Sequence, residues 1–249
     1  MSATIQTRDA DATIQTDDGP MPAHVAIPSG TPKGAVVVLQ EAFGVTAHIQ
    51  DVTRRFARAG WHALAPALFH REASPVIGYD QLDKAMPLVA TLTPGGLTTD
   101  LLAALGSVEA SGIPPERTAV VGFCMGGSVA FYAATLRPLG AAVTFYGGGV
   151  TTGRFGLPPL VDLADSLATP WLGLYGDTDQ SIPVADVEAL RERVARAPVE
   201  AEIVRYAEAG HGFHCDERPA AYVPGAAQDA WRRTLGWLER HSAAGAPLS

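Results

Sequence analysis

The sequence predicts an α/β fold, with a mainly parallel central sheet flanked by helices on both faces. Three observations carry this. Continuous apolar runs such as "AVVVLQ" (35–40), bounded by glycines, suit strands covered on both faces. Segments of helical spacing alternate with such runs from residue 35 to residue 240. The gaps between consecutive strands are also long enough for the crossover helices that parallel pairing requires.

Residues 13–16 and 22–27 ("PAHVAI") form a small leading hairpin. After strand 35–40, "AHIQDVTRRFARAG" (47–60) places Ile49, Val52 and Phe56 on one helical face and stops at Gly60. "WHALAPAL" (61–68) is the next strand. Helices over 79–92 and 97–111 are split by the breaker "TPGG". "RTAVVGF" (117–123) is a strand and 125–136 a helix, and "GAAVTFYG" (140–147) and "PWLGLYG" (170–176) are two further strands. An amphipathic helix over 184–196, a strand over 199–206 and a helix over 219–240 complete the order. The expectation is one domain over 1–249, with 1–11 and 242–249 as loose ends.

The 249 residues are 47% hydrophobic and 18% charged, enough for a sizeable core. The net charge of −8, with no basic cluster, argues against nucleic acid and anionic membranes as partners. The polar start "MSATIQTRDADATIQTDDG" has no signal-like apolar region, and no apolar run is long enough to span a bilayer. Two distant cysteines make no disulfide framework. These features predict a cytoplasmic protein and leave monomer or homodimer open.

The stretch "VVGFCMGGSVAFYAA" (120–134) holds Cys124 in a G-x-C-x-G pattern where a strand gives way to a helix. At such a turn a nucleophile takes a strained conformation, and the flanking glycines, Gly122 and Gly126, avoid side-chain collisions. The amides at the start of the following helix also favour a thiolate. A thiol nucleophile needs an imidazole to move protons and a carboxylate to orient it. "DTDQSIP" after strand 170–176 offers Asp177 and Asp179, and "AEAGHGF" after strand 199–206 offers His211. All lie at the C-terminal strand edge, where open α/β sheets bind ligands. Asp179 is favoured because it reaches back from the loop, whereas Asp177 suits a hydrogen bond within the turn.

"LQEAFGV" (39–45), "GFCMGG" (122–127), "YGDTDQSIP" (175–183) and "AGHGFH" (209–214) together resemble the dienelactone hydrolase family of the α/β-hydrolase superfamily. The resemblance runs from about residue 13 to residue 240. It implies an α/β-hydrolase fold, a catalytic triad of Cys124, Asp179 and His211, and a Glu41 that controls the protonation of the thiol. It also implies an oxyanion hole from the Ala42 and Met125 amides, a small ester or lactone as substrate, a thioester intermediate, and neither cofactor nor metal.

The family prototype grips a substrate carboxylate with arginines, one of them four residues after the histidine. Here that position is Cys215 and the helix 79–92 has no arginine, so Arg71, Lys84 or Arg218 would have to substitute. Phe43, Tyr79, Tyr146, Phe213 and Cys215 are further candidate substrate contacts, and Phe69 and Trp61 could also line an apolar pocket. A glutamine-amidotransferase reading fails on Phe213, where that chemistry expects a glutamate. A metal site at His211, His214 and Cys215 has suitable donors but no second ligand cluster. The non-enzymatic alternative is a small-molecule-binding or thiol redox-sensing protein on the same fold.

Overall fold

The computed structural model describes residues 7–243. Its elements, in chain order, begin with β1 (Thr7–Thr16), β2 (Gly19–Pro28), β3 (Ala35–Leu39), α1 (Ala47–Arg58) and β4 (His62–Pro66). Next come α2 (Leu82–Val89), α3 (Pro94–Ala110), β5 (Thr118–Phe123), α4 (Met125–Leu136) and β6 (Ala141–Phe145). The chain continues through α5 (Leu160–Leu163), β7 (Trp171–Gly176), α6 (Val184–Val194), β8 (Ala201–Tyr206) and α7 (Pro224–His241).

The eight strands form one sheet in the order β1-β2-β4-β3-β5-β6-β7-β8. β1 and β2 pair antiparallel, as do β2 and β4, while β4 through β8 run parallel. This is the α/β-hydrolase arrangement. The period of two in β3 divides its side chains between two cores. Val36 and Val38 pack with Ile49, Val52 and Phe56 of α1 and Trp237 of α7. Val37 and Leu39 meet Leu101 and Leu105 of α3 and Val129 of α4 on the opposite face. Each such side chain contributes roughly 1.5–3 kcal/mol by leaving water.

Several boundaries differ from the sequence reading. α2 is shorter than the expected 79–92 at both ends, and α3 starts at Pro94, inside the expected breaker, because Thr93 caps it by accepting the Gly96 N–H and proline fits the first turn. Residues 7–11 belong to β1, pairing from Thr7↔Pro28 to Asp11↔His24. Their exposed Asp and Ala side chains lack the apolar pattern of a strand, so the pairing rests on backbone hydrogen bonds and on Asp9, which meets His24 of β2 at 2.8 Å and Arg54 of α1 at 3.3 Å. Ser242 is buried and its hydroxyl donates to the Leu238 carbonyl at 2.9 Å, closing α7. The rest of the two expected loose ends, 1–6 and 244–249, lies outside the described residues. Finally, α7 starts at Pro224, because residues 219–223 form the loop that returns from His211.

Among the described residues, no single helix is long and apolar enough to cross a membrane. The pair α2 and α3 is apolar enough together but bent by 91°, and α3 buries Leu97, Leu101 and Leu105 in the core.

Candidate active site

Cys124 occupies the turn from β5 to α4 with φ 54° and ψ −116°. A non-glycine residue held there stores on the order of 1–3 kcal/mol of strain. Its N–H donates to the Phe145 carbonyl at 3.0 Å, tying the turn to β6. A Cβ on Gly122 would collide with the Gly126 carbonyl, and one on Gly126 with the carbonyls of Leu39 and Gln40. The glycines therefore let three backbones meet, and Cys124 stands at the C-terminal edge of the sheet.

His211 comes from the loop after β8, where Gly212 has φ 78°. Its Nε2 lies 3.0 Å from Cys124 Sγ, and its Nδ1 donates to Asp179 Oδ2 at 2.7 Å. Asp179, in the loop after β7, accepts the Ser181 N–H at 2.8 Å and the Ser181 hydroxyl at 2.7 Å on its other oxygen. Asp177 is turned away, accepting two hydrogen bonds from Arg205 at 2.7 and 2.9 Å. Of the two aspartates, Asp179 is the one that meets the imidazole.

The charges reinforce this chain. Burial opposes ionisation of Asp179, but the hydrogen bond and charge of His211, aided by Ser181, hold its carboxyl below the usual carboxylate range. Burial likewise opposes the imidazolium of His211. Cys124 and Asp179 outweigh that effect and push the His211 pKa up to about 10.

The Ala42 and Met125 N–H groups face no protein acceptor among the described residues, and both residues line the cavity that holds Cys124 and His211. Met125 opens α4, so its amide is one of the donors a helix start leaves free. Glu41 is 1% exposed. Its Oε2 accepts the Tyr79 hydroxyl at 2.9 Å, while its Oε1 has no partner. Tyr79 oxygen in turn lies 3.1 Å from the Thr46 hydroxyl. No hydrogen bond joins Glu41 to Cys124 among the described residues; the carboxyl group is engaged by Tyr79.

The cavity holds about 750 Å³, within the usual range for small-molecule sites. Phe43 and Tyr79 line it, their rings packed edge to face at 4.8 Å. The Arg218 guanidinium stands over them, 5.9 and 5.4 Å from the ring centroids.

Four expected substrate contacts lie elsewhere. Arg71 is held by Asp18 and by Asp100, the latter at 2.8 Å. Two carboxylates on its own side of the fold capture that guanidinium. Tyr146 is fully buried and supports His211 from the core side, with ring centroids 5.1 Å apart. Phe213 is buried between Tyr146 and Tyr206, because Gly212 turns the chain inward after His211. Cys215 is also fully buried, and burial, assisted by Glu41, pushes its thiol up to about 12. Trp61 and Phe69 are core residues as well.

The "HGFHC" donors diverge, with His214 packed against Phe123 and Phe145 at ring distances of 5.3 and 5.0 Å. Burial, followed by the charges of His48 and Arg55, pushes the His214 pKa down to about 3.

Other lining residues escaped the sequence reading: Ser181, Gln180, Arg154, Phe155, and Leu82 and Met86 of α2. Only Ser181 carried a local signal, as a hydroxyl two residues after an aspartate.

Comparison with known proteins agrees with this architecture. The sequence profile of the dienelactone hydrolase family matches residues 21–242. A Yersinia pestis protein provisionally named carboxymethylenebutenolidase is 37% identical over 243 residues, 96% of this chain and 90% of its own. An Escherichia coli protein of the same provisional name is 39% identical over 225 residues, 89% of this chain and 83% of its own. A crystal structure from Klebsiella pneumoniae, provisionally named a dienelactone hydrolase, superposes with a TM-score of 0.86 at 36% identity, covering 95% of this chain and all of the other. A chain with this fold, matched along nearly its whole length, belongs to the dienelactone hydrolase family and is a hydrolase of that family.

Proposed function

We propose that the protein hydrolyses small carboxylic esters or lactones by acyl transfer to Cys124. The observation that carries the reading is the unbroken chain from Cys124 Sγ through His211 to Asp179, with contacts of 3.0 and 2.7 Å. With the proton held on His211 Nε2, the Cys124 thiolate attacks the carbonyl carbon. The carbonyl oxygen then carries the charge, stabilised by the Ala42 and Met125 amides, each worth about 3 kcal/mol if comparable to known oxyanion donors. The adduct collapses with cleavage of the C–O bond, and His211 returns the proton to the leaving alkoxide. In the second half, water attacks the thioester while His211 takes its proton, and the acid and free thiol are released. Asp179 fixes the imidazole orientation throughout.

The relatives' name describes a butenolide, an unsaturated lactone bearing a carboxymethylene arm, which favours a lactone here. With Arg71 held elsewhere, Arg218 is the cation we assign to a substrate carboxylate. We assign the reaction to the cytoplasm, a reducing compartment suited to two free cysteines.

The test is hydrolysis of a short-chain aryl ester by the wild type and by Cys124→Ala. Loss of turnover in the variant, with an unchanged thermal melt, supports the mechanism. Unchanged turnover contradicts it.

A further inference from the structure

α2 buries only Ala85 and Val89. Leu82 and Met86, one turn apart on the same helix, remain 53% and 48% exposed. Isolated exposed hydrophobic residues are ordinary, but these two continue an apolar surface into the cavity of Cys124. Val89, Phe43, Met125 and Phe155 supply further apolar lining, and together these residues are taken as one wall. The inner part of that wall, Phe43, Met125 and Val89, belongs to the core on the α3 face of the sheet. The polar lining comes from the loops after β7 and β8, with Gln180, Ser181 and His211, and from Arg154 and Arg218.

Proton transfer decides which part of the substrate meets which side. His211 protonates the departing alkoxide, so the alcohol portion lies at the polar lining. The carbonyl oxygen points to the Ala42 and Met125 amides. The remaining substituent on the carbonyl carbon, the acyl chain, is left with the α2 wall. We infer that Leu82, Met86 and Val89 form an acyl subsite, selecting esters or lactones whose acid portion carries an extended apolar group, medium-chain alkyl or aryl. The inference rests on the acyl-transfer reading above and names the substrate class for it.

A p-nitrophenyl ester series from acetate to octanoate tests the subsite with the leaving group held constant. Full burial of each added methylene is worth up to about fourfold. The expected rise in kcat/KM from acetate to hexanoate is at least about tenfold, given partial burial. In Leu82→Gln/Met86→Gln the hexanoate-to-acetate ratio falls at least about fivefold; both changes lie on an exposed helix surface and glutamine favours helix. Lengthening the alcohol instead, from methyl to hexyl acetate, changes kcat/KM by less than about threefold, because that side is polar. A ratio at or below one in the wild type, or one unchanged in the double variant, overturns the subsite.

A second readout needs no turnover. Cys124 should be alkylated faster by N-hexyl than by N-methyl iodoacetamide, and the preference should vanish in the double variant. Equal alkylation rates in the wild type also overturn the subsite. Absence of ester turnover with the alkylation preference intact overturns the acyl-transfer reading instead.

Discussion

The Tyr79 hydroxyl donates to Glu41 Oε2 at 2.9 Å, the one hydrogen bond made by that buried carboxyl group among the described residues. A carboxylate that swings toward a thiolate disfavours it. Tyr79 is therefore expected to act as a latch. In Tyr79→Phe the Glu41 carboxyl group loses the one hydrogen-bond partner it has among the described residues, and the Cys124 alkylation rate at pH 7 is expected to fall several-fold. Adding Glu41→Gln to that variant should restore the rate. Iodoacetamide kinetics in the three proteins check both statements.

The two aspartates of "DTDQ" are expected to part under mutation. Asp179→Asn removes the acceptor that orients His211 and should lower kcat by roughly 10³–10⁴, as for other triads. Asp177→Asn weakens the pairing with Arg205. That pair is part-exposed and worth about 1 kcal/mol or less, so the change should lower Tm slightly and leave kcat within about twofold. Steady-state kinetics and thermal melts of the two variants separate the roles.

Ser181 is expected to act as a positioning residue through Asp179. Its hydroxyl and N–H both donate to Oδ1, leaving Oδ2 free for His211. Ser181→Ala removes one donor to a charged acceptor, a loss of about 1.5–3 kcal/mol at most. The Asp179 pKa should rise, and the acid limb of the kcat/KM–pH profile should move upward with it. Ser181→Thr should restore the profile, which a purely structural role for the loop would not predict.

The pH dependence of stability follows from the same pair. The folded-state pKa of His211, about 10, lies above its ordinary value of 6.5. Its contribution is thus fully present below pH 6.5 and is lost as pH rises toward 10. Asp179 is shifted the other way, so its contribution is present above its ordinary value of 3.8 and is lost as pH falls below that. Among the groups that raise the His211 pKa, Cys124 is the largest. In Cys124→Ala the His211 pKa, followed by NMR, should therefore fall, and the decline of Tm between pH 7 and pH 10 should become shallower.

Much of this arrangement was legible in the chain, for steric reasons. Gly122, Cys124 and Gly126 satisfy a collision constraint that few other residues meet, and strands such as 35–39 are apolar at every position because both faces are covered. Other features depended on distant partners. Asp177 and Asp179 were separated by Arg205, which sits 28 positions from Asp177. Arg71 looked available as a substrate cation until Asp18 and Asp100 captured it. Tyr146 and Phe213 adjoin His211, yet the backbone turns both side chains inward. Leu82 and Met86 carried the opposite ambiguity, since periodicity marks an apolar face without saying whether core or cavity meets it.

The most direct test of the account is to trap the acyl-enzyme. A slow ester would be mixed with protein, quenched in acid during turnover, and the peptide containing Cys124 weighed by mass spectrometry. The account predicts an added acyl mass on Cys124 that appears within the burst, decays as substrate is exhausted, and is absent from Cys124→Ala. Turnover with no acyl mass on Cys124 under saturating substrate, together with a fully active Cys124→Ala, would contradict it.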